Sequence, residues 1–261
     1  MCTLVAIHRR VPGAPLVVAA NRDEYFDRPS EPPALRSTPC GPVVAPRDLR
    51  AGGTWMGLNG FGVFAAVTNR RSKSIDPSRR SRGLVVMDLL TAASATQAAA
   101  LLESLPEGAY NSFNALVVDA ERIFCLVYQE APRLVDLGPG AHVIGNADPN
   151  APDVPKLARV RERAQKASGL PRERVLAELA EACREHDAGG SPLDDTCVHA
   201  EGYGTRSSAL LLLAESDEES RLLFADGPPC RNEYRDFTPL LRELSETASY
   251  ASGETATRKA S

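Results

Sequence analysis

Cysteine at position 2 has a place in this 261-residue chain that could give it chemistry. An initiator methionine is normally removed ahead of a small second residue, which would make Cys2 the first residue of the mature chain. Its α-amine and its thiol, with unperturbed pKa values of about 7.7–8.0 and about 8.5, both titrate near neutrality. One residue then supplies a nucleophile and the base that takes its proton, so no catalytic histidine is required. The plainer alternative is that Cys2 only starts a buried strand. Asn21-Arg22-Asp23-Glu24 sets four polar residues directly after an apolar run. Asp23 or Glu24 could orient the amine, and a side-chain amide could donate to the oxyanion of a tetrahedral intermediate. The same four residues equally suit a capped, salt-bridged turn. A Ser-rich loop carries Arg70, Arg71, Lys73, Arg79, Arg80 and Arg82 with the single acid Asp76; it reads either as a solvated loop or as a dock for an anionic substrate.

The elements that must position these groups are legible as hydrophobic runs. Thr3 to His8 and Leu16 to Ala20 flank the turn signal Pro12-Gly13, a hairpin in which facing residues sum to about 25. Cys2 then faces roughly Asn21 to Asp23. A second hairpin, Thr54 to Leu58 and Phe61 to Thr68, is expected around Asn59-Gly60 as a type I′ turn, because that dipeptide tolerates positive φ at both centres. It delivers Asn69 and Arg70 to its far end. A single helical stretch is expected from Leu84 to Leu105. Strands follow at Phe113 to Asp119, Arg122 to Gln129 and His142 to Gly145, then helices at Lys156 to Ala167 and Arg172 to His186. Ser207 to Leu213 and Arg221 to Ala225 form a last strand pair, and a short helix is expected near Phe237 to Leu244. Strands in hairpins, then helices, then strands again argue for an α+β fold of two packed antiparallel sheets with helices outside. We read residues 1–246 as one domain and 247–261 as a disordered polar tail.

Composition narrows the partners. With 30 Lys+Arg against 34 Asp+Glu the formal net charge is −4, a poor footprint for nucleic acid. No stretch approaches the roughly 18 uncharged apolar residues of a membrane span. Arg9 and Arg10 follow only a few apolar residues, the reverse of a secretory signal, so the expected location is cytoplasmic. The six cysteines are scattered without a metal-binding spacing, and no histidine pair has helical metal spacing; no metal site is expected.

Met1-Cys2, Asn21-Arg22-Asp23-Glu24 followed by Arg28-Pro29, Gly52-Gly53-Thr54-Trp55, Val67-Thr68-Asn69-Arg70, Ser81-Arg82-Gly83, Phe113-Asn114-Ala115-Leu116, the Gly145-Asn146 to Pro155-Lys156 stretch, and Tyr203-Gly204-Thr205-Arg206-Ser207-Ser208 occur in order. Together they resemble the NRDE family, which includes the Transport and Golgi organisation protein 2 homologues. The resemblance implies a four-layer αββα sandwich of the N-terminal nucleophile hydrolase type and, more distantly, a likeness to bile salt hydrolases and penicillin V acylases, which cleave linear amides with an N-terminal cysteine. By motif, Cys2 matches the nucleophile, Asp23 the amine-orienting acid, Asn69 and Asn146 the asparagines near the oxyanion, and Arg206 a late arginine. Arg206 could hold the thiolate, clamp a substrate carboxylate or form a buried salt bridge to Asp23 or Glu24. Asn21, Arg22, Glu24, Arg70 and Arg82 are the expected substrate-binding residues. Ala20 stands where the acylases carry arginine, and Arg22 is the residue that could replace it from a shifted position. The implied activity is hydrolysis of a small-molecule linear amide, or transfer of its acyl group, through a Cys2 thioester and without a cofactor. The alternative is a non-catalytic protein binding or trafficking haem or acyl-coenzyme A on the same fold, with the loop arginines meeting the coenzyme A phosphates. For haem the chain offers no attachment motif, and His142, His199 or a methionine would each be an arbitrary axial ligand.

Overall fold

The structure, a computed structural model, describes residues 2–72, 74–186 and 189–258, with side chains to 248. Fourteen strands and five helices appear among them. In chain order they are β1 (Thr3–Val11), β2 (Ala14–Tyr25), β3 (Ser30–Thr38), β4 (Gly41–Asp48), β5 (Met56–Asn59), β6 (Phe64–Asn69), α1 (Arg82–Leu89), α2 (Ala95–Glu103), β7 (Phe113–Val118), β8 (Ile123–Tyr128), β9 (Arg133–Asp136), β10 (Gly140–Ile144), α3 (Pro155–Ala167), α4 (Arg172–Arg184), β11 (His199–Ala200), β12 (Tyr203–Leu213), β13 (Arg221–Ala225), β14 (Arg235–Asp236) and α5 (Pro239–Arg258).

The strands form two antiparallel sheets. One runs β10-β1-β2-β12-β13-β14, with β11 added on β12; the other runs β3-β4-β5-β6-β7-β8-β9. Strand alternation explains the layers. Leu4, Ala6, Leu16, Val18 and Ala20 of the first sheet share a cluster with Val44, Met56, Leu58, Phe64, Ala66 and Leu116 of the second, whereas their neighbours Val5, Ile7, Val17 and Ala19 pack with Leu157, Val160, Val175 and Leu179 of α3 and α4. Val43, Ala45, Ala65, Ala115 and Val117 turn the other way, onto Val85, Val86, Ala98 and Leu102 of α1 and α2. Two sheets buried on both faces with helices outside make the expected αββα sandwich.

Several expectations change in detail. The second hairpin does not turn on Asn59-Gly60: Leu58 pairs with Phe64, and the positive φ falls on Gly62. The reason is Asn59, whose Oδ1 accepts from the N–H groups of Phe61 and Val63 while its Nδ2 donates to the carbonyls of Leu90 and Ala92. Those carbonyls lie where the expected single helix breaks into α1 and α2. Ser94 then caps α2 through Gln97 N–H. The strands β3, β4, β9, β11 and β14 lie outside the runs read from sequence. Helix α5 reaches Arg258, into the stretch expected as a disordered tail; side chains from 249 on and residues 259–261 lie outside the described residues. Among the described residues no helix is long and apolar enough to cross a membrane.

Candidate functional site at Cys2

The Asn21–Glu24 tetrapeptide is not a turn: β2 runs straight through it to Tyr25. The period of two therefore splits the four residues between faces. Arg22 continues the row of Val18 and Ala20 into the space between the sheets. Its guanidinium lies 4.4 Å from the centre of the Trp55 ring, and its Nη2 stands 3.4 Å from Asp48 Oδ2. Asn21 and Asp23 face the helices. Asn21 Nδ2 donates to the carbonyls of Cys183 and Thr196, at 2.8 and 2.9 Å, so this amide pins α4 and the loop before β11 and does not line either cavity described below. Asp23 is fully buried: Thr205 Oγ1 donates to its Oδ1 at 2.7 Å, and Lys156 Nζ, also buried, stands 3.8 Å from Oδ2. Burial raises the Asp23 pKa and outweighs the Lys156 charge and the Thr205 hydrogen bond.

The registers of β1 place Cys2. Thr3 pairs with Asn21 and Leu4 with Ile144, so the registers continued by one and by two residues bring Cys2 level with Arg22 on one side and Asn146 on the other. Its Sγ lies 3.8 Å from the Asp23 carbonyl, which also accepts from the Tyr203 hydroxyl at 3.0 Å. Burial pushes the Cys2 thiol pKa up, with the Asp23 charge adding to it against the pull of Arg22. A resting thiol of this kind stays protonated near neutrality, so nucleophilic attack needs a base at the site.

Cys2 opens onto two cavities. The larger, about 260 Å³, is bounded by Arg22, Arg28, Arg50, Arg79, Arg80 and Arg82 with only Glu24, Asp48 and Asp76 of opposite sign; Trp55, Asn69 and the Ser81–Gly83 start of α1 complete it. The smaller lies between Cys2, Arg71, Asn146, Val154, Lys156 and Leu157. Asn69, at the end of β6, and Asn146, after β10, belong to different sheets, and the Asn146 amide donates to the Asn69 carbonyl. Thr68 Oγ1 donates to the Gly145 carbonyl, and Asn114 Nδ2 to those of Gly145 and Ala147, so two buried polar groups hold the loop that carries Asn146. Glu24 pairs with Arg28 Nη1 at 3.5 Å, and Arg28 Nε donates to Asp48 at 2.6 Å.

Besides Asn21, two expected positions fall elsewhere. Arg70 is spent on Asn114 Oδ1 and Asp148 and lines neither cavity. Arg206 sits at a bulge in β12, between the Thr205–Asp23 and Ser207–Arg22 pairs, and also lines neither. Among the described residues it has no ion pair with Asp23 or Glu24; its Nε is buried without a hydrogen bond. Sequence reasoning missed Lys156 as a partner for Asp23, Trp55 and Asp48 as supports for Arg22, and Asn114 as a brace. It also missed that Cys197, His199 and Cys230 bring three metal-donor atoms within 4.8 Å of one another. None of these three lines either Cys2 cavity.

The architecture is that of the N-terminal nucleophile hydrolases. The penicillin V acylase from Agrobacterium tumefaciens superposes with a TM-score of 0.59 at 15% identity, covering 92% of this chain and 88% of that one. The N-acylethanolamine-hydrolyzing acid amidase ortholog from Caenorhabditis elegans gives 0.57 at 11% identity, covering 81% and 92%. In sequence, the chain matches the family described as Transport and Golgi organisation 2 over residues 1–223, and it belongs to that family. The Homo sapiens Transport and Golgi organization protein 2 homolog is 26% identical over 240 residues, 81% of this chain and 85% of the relative.

Proposed function

We propose that the protein hydrolyses a linear amide bearing an anionic group, or transfers its acyl part, through a thioester on Cys2. The observation that carries this reading is the position of Cys2: directly before β1, level with Asn146, beside Asp23, lining an arginine-rich cavity on a fold shared with amide-cleaving enzymes. With Met1 removed, the α-amine takes the thiol proton and Sγ attacks the amide carbonyl. The carbonyl oxygen becomes an oxyanion near Asn69 and Asn146, whose neutral amides donate without a compensating charge. Loss of one such donor typically costs about 3 kcal/mol of barrier. Breakdown of the tetrahedral intermediate breaks the C–N bond, the leaving amine takes the proton, and water then hydrolyses the thioester and restores the thiol. Asp23 orients the amine, while Arg22 and Arg82 with the uncapped start of α1 receive the anionic group.

The same excess of arginines supports a second reading, in which the cavity binds acyl-coenzyme A or haem through phosphate or propionate groups without reaction. Turnover of N-acyl amides and thioesters by the chain lacking Met1 separates the two. Cys2→Ala abolishes turnover under the first reading, whereas a wild type that binds acyl-coenzyme A equally with and without Cys2 and turns nothing over supports the second.

A further inference from the structure

We infer that Cys197, His199 and Cys230 form a zinc site that clips β11 and the loop before it to the loop between β13 and β14. Sγ of Cys197 lies 3.6 Å from His199 Nε2 and 3.5 Å from Cys230 Sγ, and His199 Nε2 lies 3.1 Å from Cys230 Sγ. A tetrahedral zinc with Zn–S of about 2.3 Å and Zn–N of about 2.0–2.1 Å needs S···S near 3.8 Å and S···N near 3.5 Å. The three donors thus stand close to the edges of one face of that tetrahedron, which leaves the fourth position to water or a further ligand.

The frame around the donors is rigid. Cys230 follows Pro228-Pro229, and the N–H groups of Arg231 and Asn232 and the Asn232 side chain all donate to the Pro228 carbonyl. Cys197 N–H donates to Glu185 O, and Val198 is tied to Thr205 by Thr205 N–H to Val198 O and Val198 N–H to Thr205 Oγ1. Two thiolates and one neutral imidazole compensate the charge of a divalent zinc, and two thiols and an imidazole are the donors this borderline-soft ion selects. Binding releases the two thiol protons. The clip would also steady Thr205, whose hydroxyl donates to Asp23.

The test uses the full chain, expressed and purified with a phosphine reductant, incubated with excess zinc chloride and dialysed. Elemental analysis should give about one zinc per chain, with at least a tenfold loss of bound metal in both Cys230→Ser and His199→Gln. Cobalt in place of zinc should show thiolate-to-metal charge transfer in wild type and lose it in Cys230→Ser, a partly buried position chosen because it lies outside the core clusters. Chelation should lower the melting temperature of wild type but not of Cys230→Ser. Wild type that retains no zinc, zinc retained equally by both variants, or a Cys197–Cys230 disulfide that persists in the reductant would each overturn the assignment.

Discussion

Asp23 has two roles that one substitution would confound: it holds a buried lysine and, on the account above, it orients the nucleophile's amine. Asp23→Asn leaves the Lys156 ammonium buried without its counter-charge, which should lower stability by about 3 kcal/mol or more. Asp23→Asn combined with Lys156→Met removes both charges and should recover most of that loss in denaturant unfolding. Turnover should remain at least about tenfold down in the double variant, equivalent to about 1.4 kcal/mol of barrier. Recovery of turnover together with stability would show that Asp23 acts only as a structural partner. The position of Cys2 beside Arg22 was legible from hairpin arithmetic, because an antiparallel register propagates one residue at a time. Lys156 was not legible, since a lysine near the start of an amphipathic helix reads as surface until the fold shows what it faces. The cysteine and histidine donors at 197, 199 and 230 were hidden for a related reason: about thirty residues and two strands separate them, and only the return of β13 unites them.

Glycines set the close approach that brings α1 to the site. A Cβ on Gly53 would lie 2.4 Å from the Gly83 backbone carbon, and a Cβ on Gly83 would lie 2.9 Å from the Thr54 carbonyl oxygen. Thr54 N–H donates to Gly83 O across this contact, which places Arg82 and Trp55 on the same cavity. Gly53→Ala should therefore cost about 1–3 kcal/mol or more in unfolding free energy and weaken any ligand of the cavity. Gly169→Ala, where a Cβ meets nothing closer than 3.6 Å, should be near neutral. Other elements show where pattern reading stops. The strands β3 and β4 carry Pro32, Pro33, Pro42 and Pro46, which argue against a strand in sequence. The fold tolerates the first two because β3 is an edge strand with a register shift between Glu31 and Ala34. Ser94 with Gln97 is a helix-start signature inside what looks like one helix, and it marks the break that Asn59 enforces.

At the scale of the whole molecule, the αββα layering followed from runs of apolar strands and amphipathic helices, whereas the place where the sheets meet at Cys2 depends on pairings that no local pattern encodes. The layers also bury titratable groups. His142 donates from Nε2 to Gly138 O and accepts at Nδ1 from Asn150 Nδ2, an orientation fixed because Asn150 Oδ1 accepts from Val143 N–H. Protonation at Nδ1 would oppose that donor, and burial lowers the pKa of both His142 and His8 below 6.5. The unfolded chain then binds protons that the folded chain does not, so stability falls as the pH drops from about 6.5 toward the lowered folded values. His142→Gln should reduce this pH dependence in denaturant titrations at a series of pH values.

The central claim concerns Cys2, and intact mass spectrometry of the chain lacking Met1, quenched in acid during incubation with an N-acyl amide bearing a carboxylate, tests it most directly. The account predicts a mass increase equal to the acyl group less the thiol hydrogen it replaces, carried by the peptide that begins at Cys2 and absent from Cys2→Ala. Full amide turnover by Cys2→Ala, or acylation that maps to another residue, would contradict it.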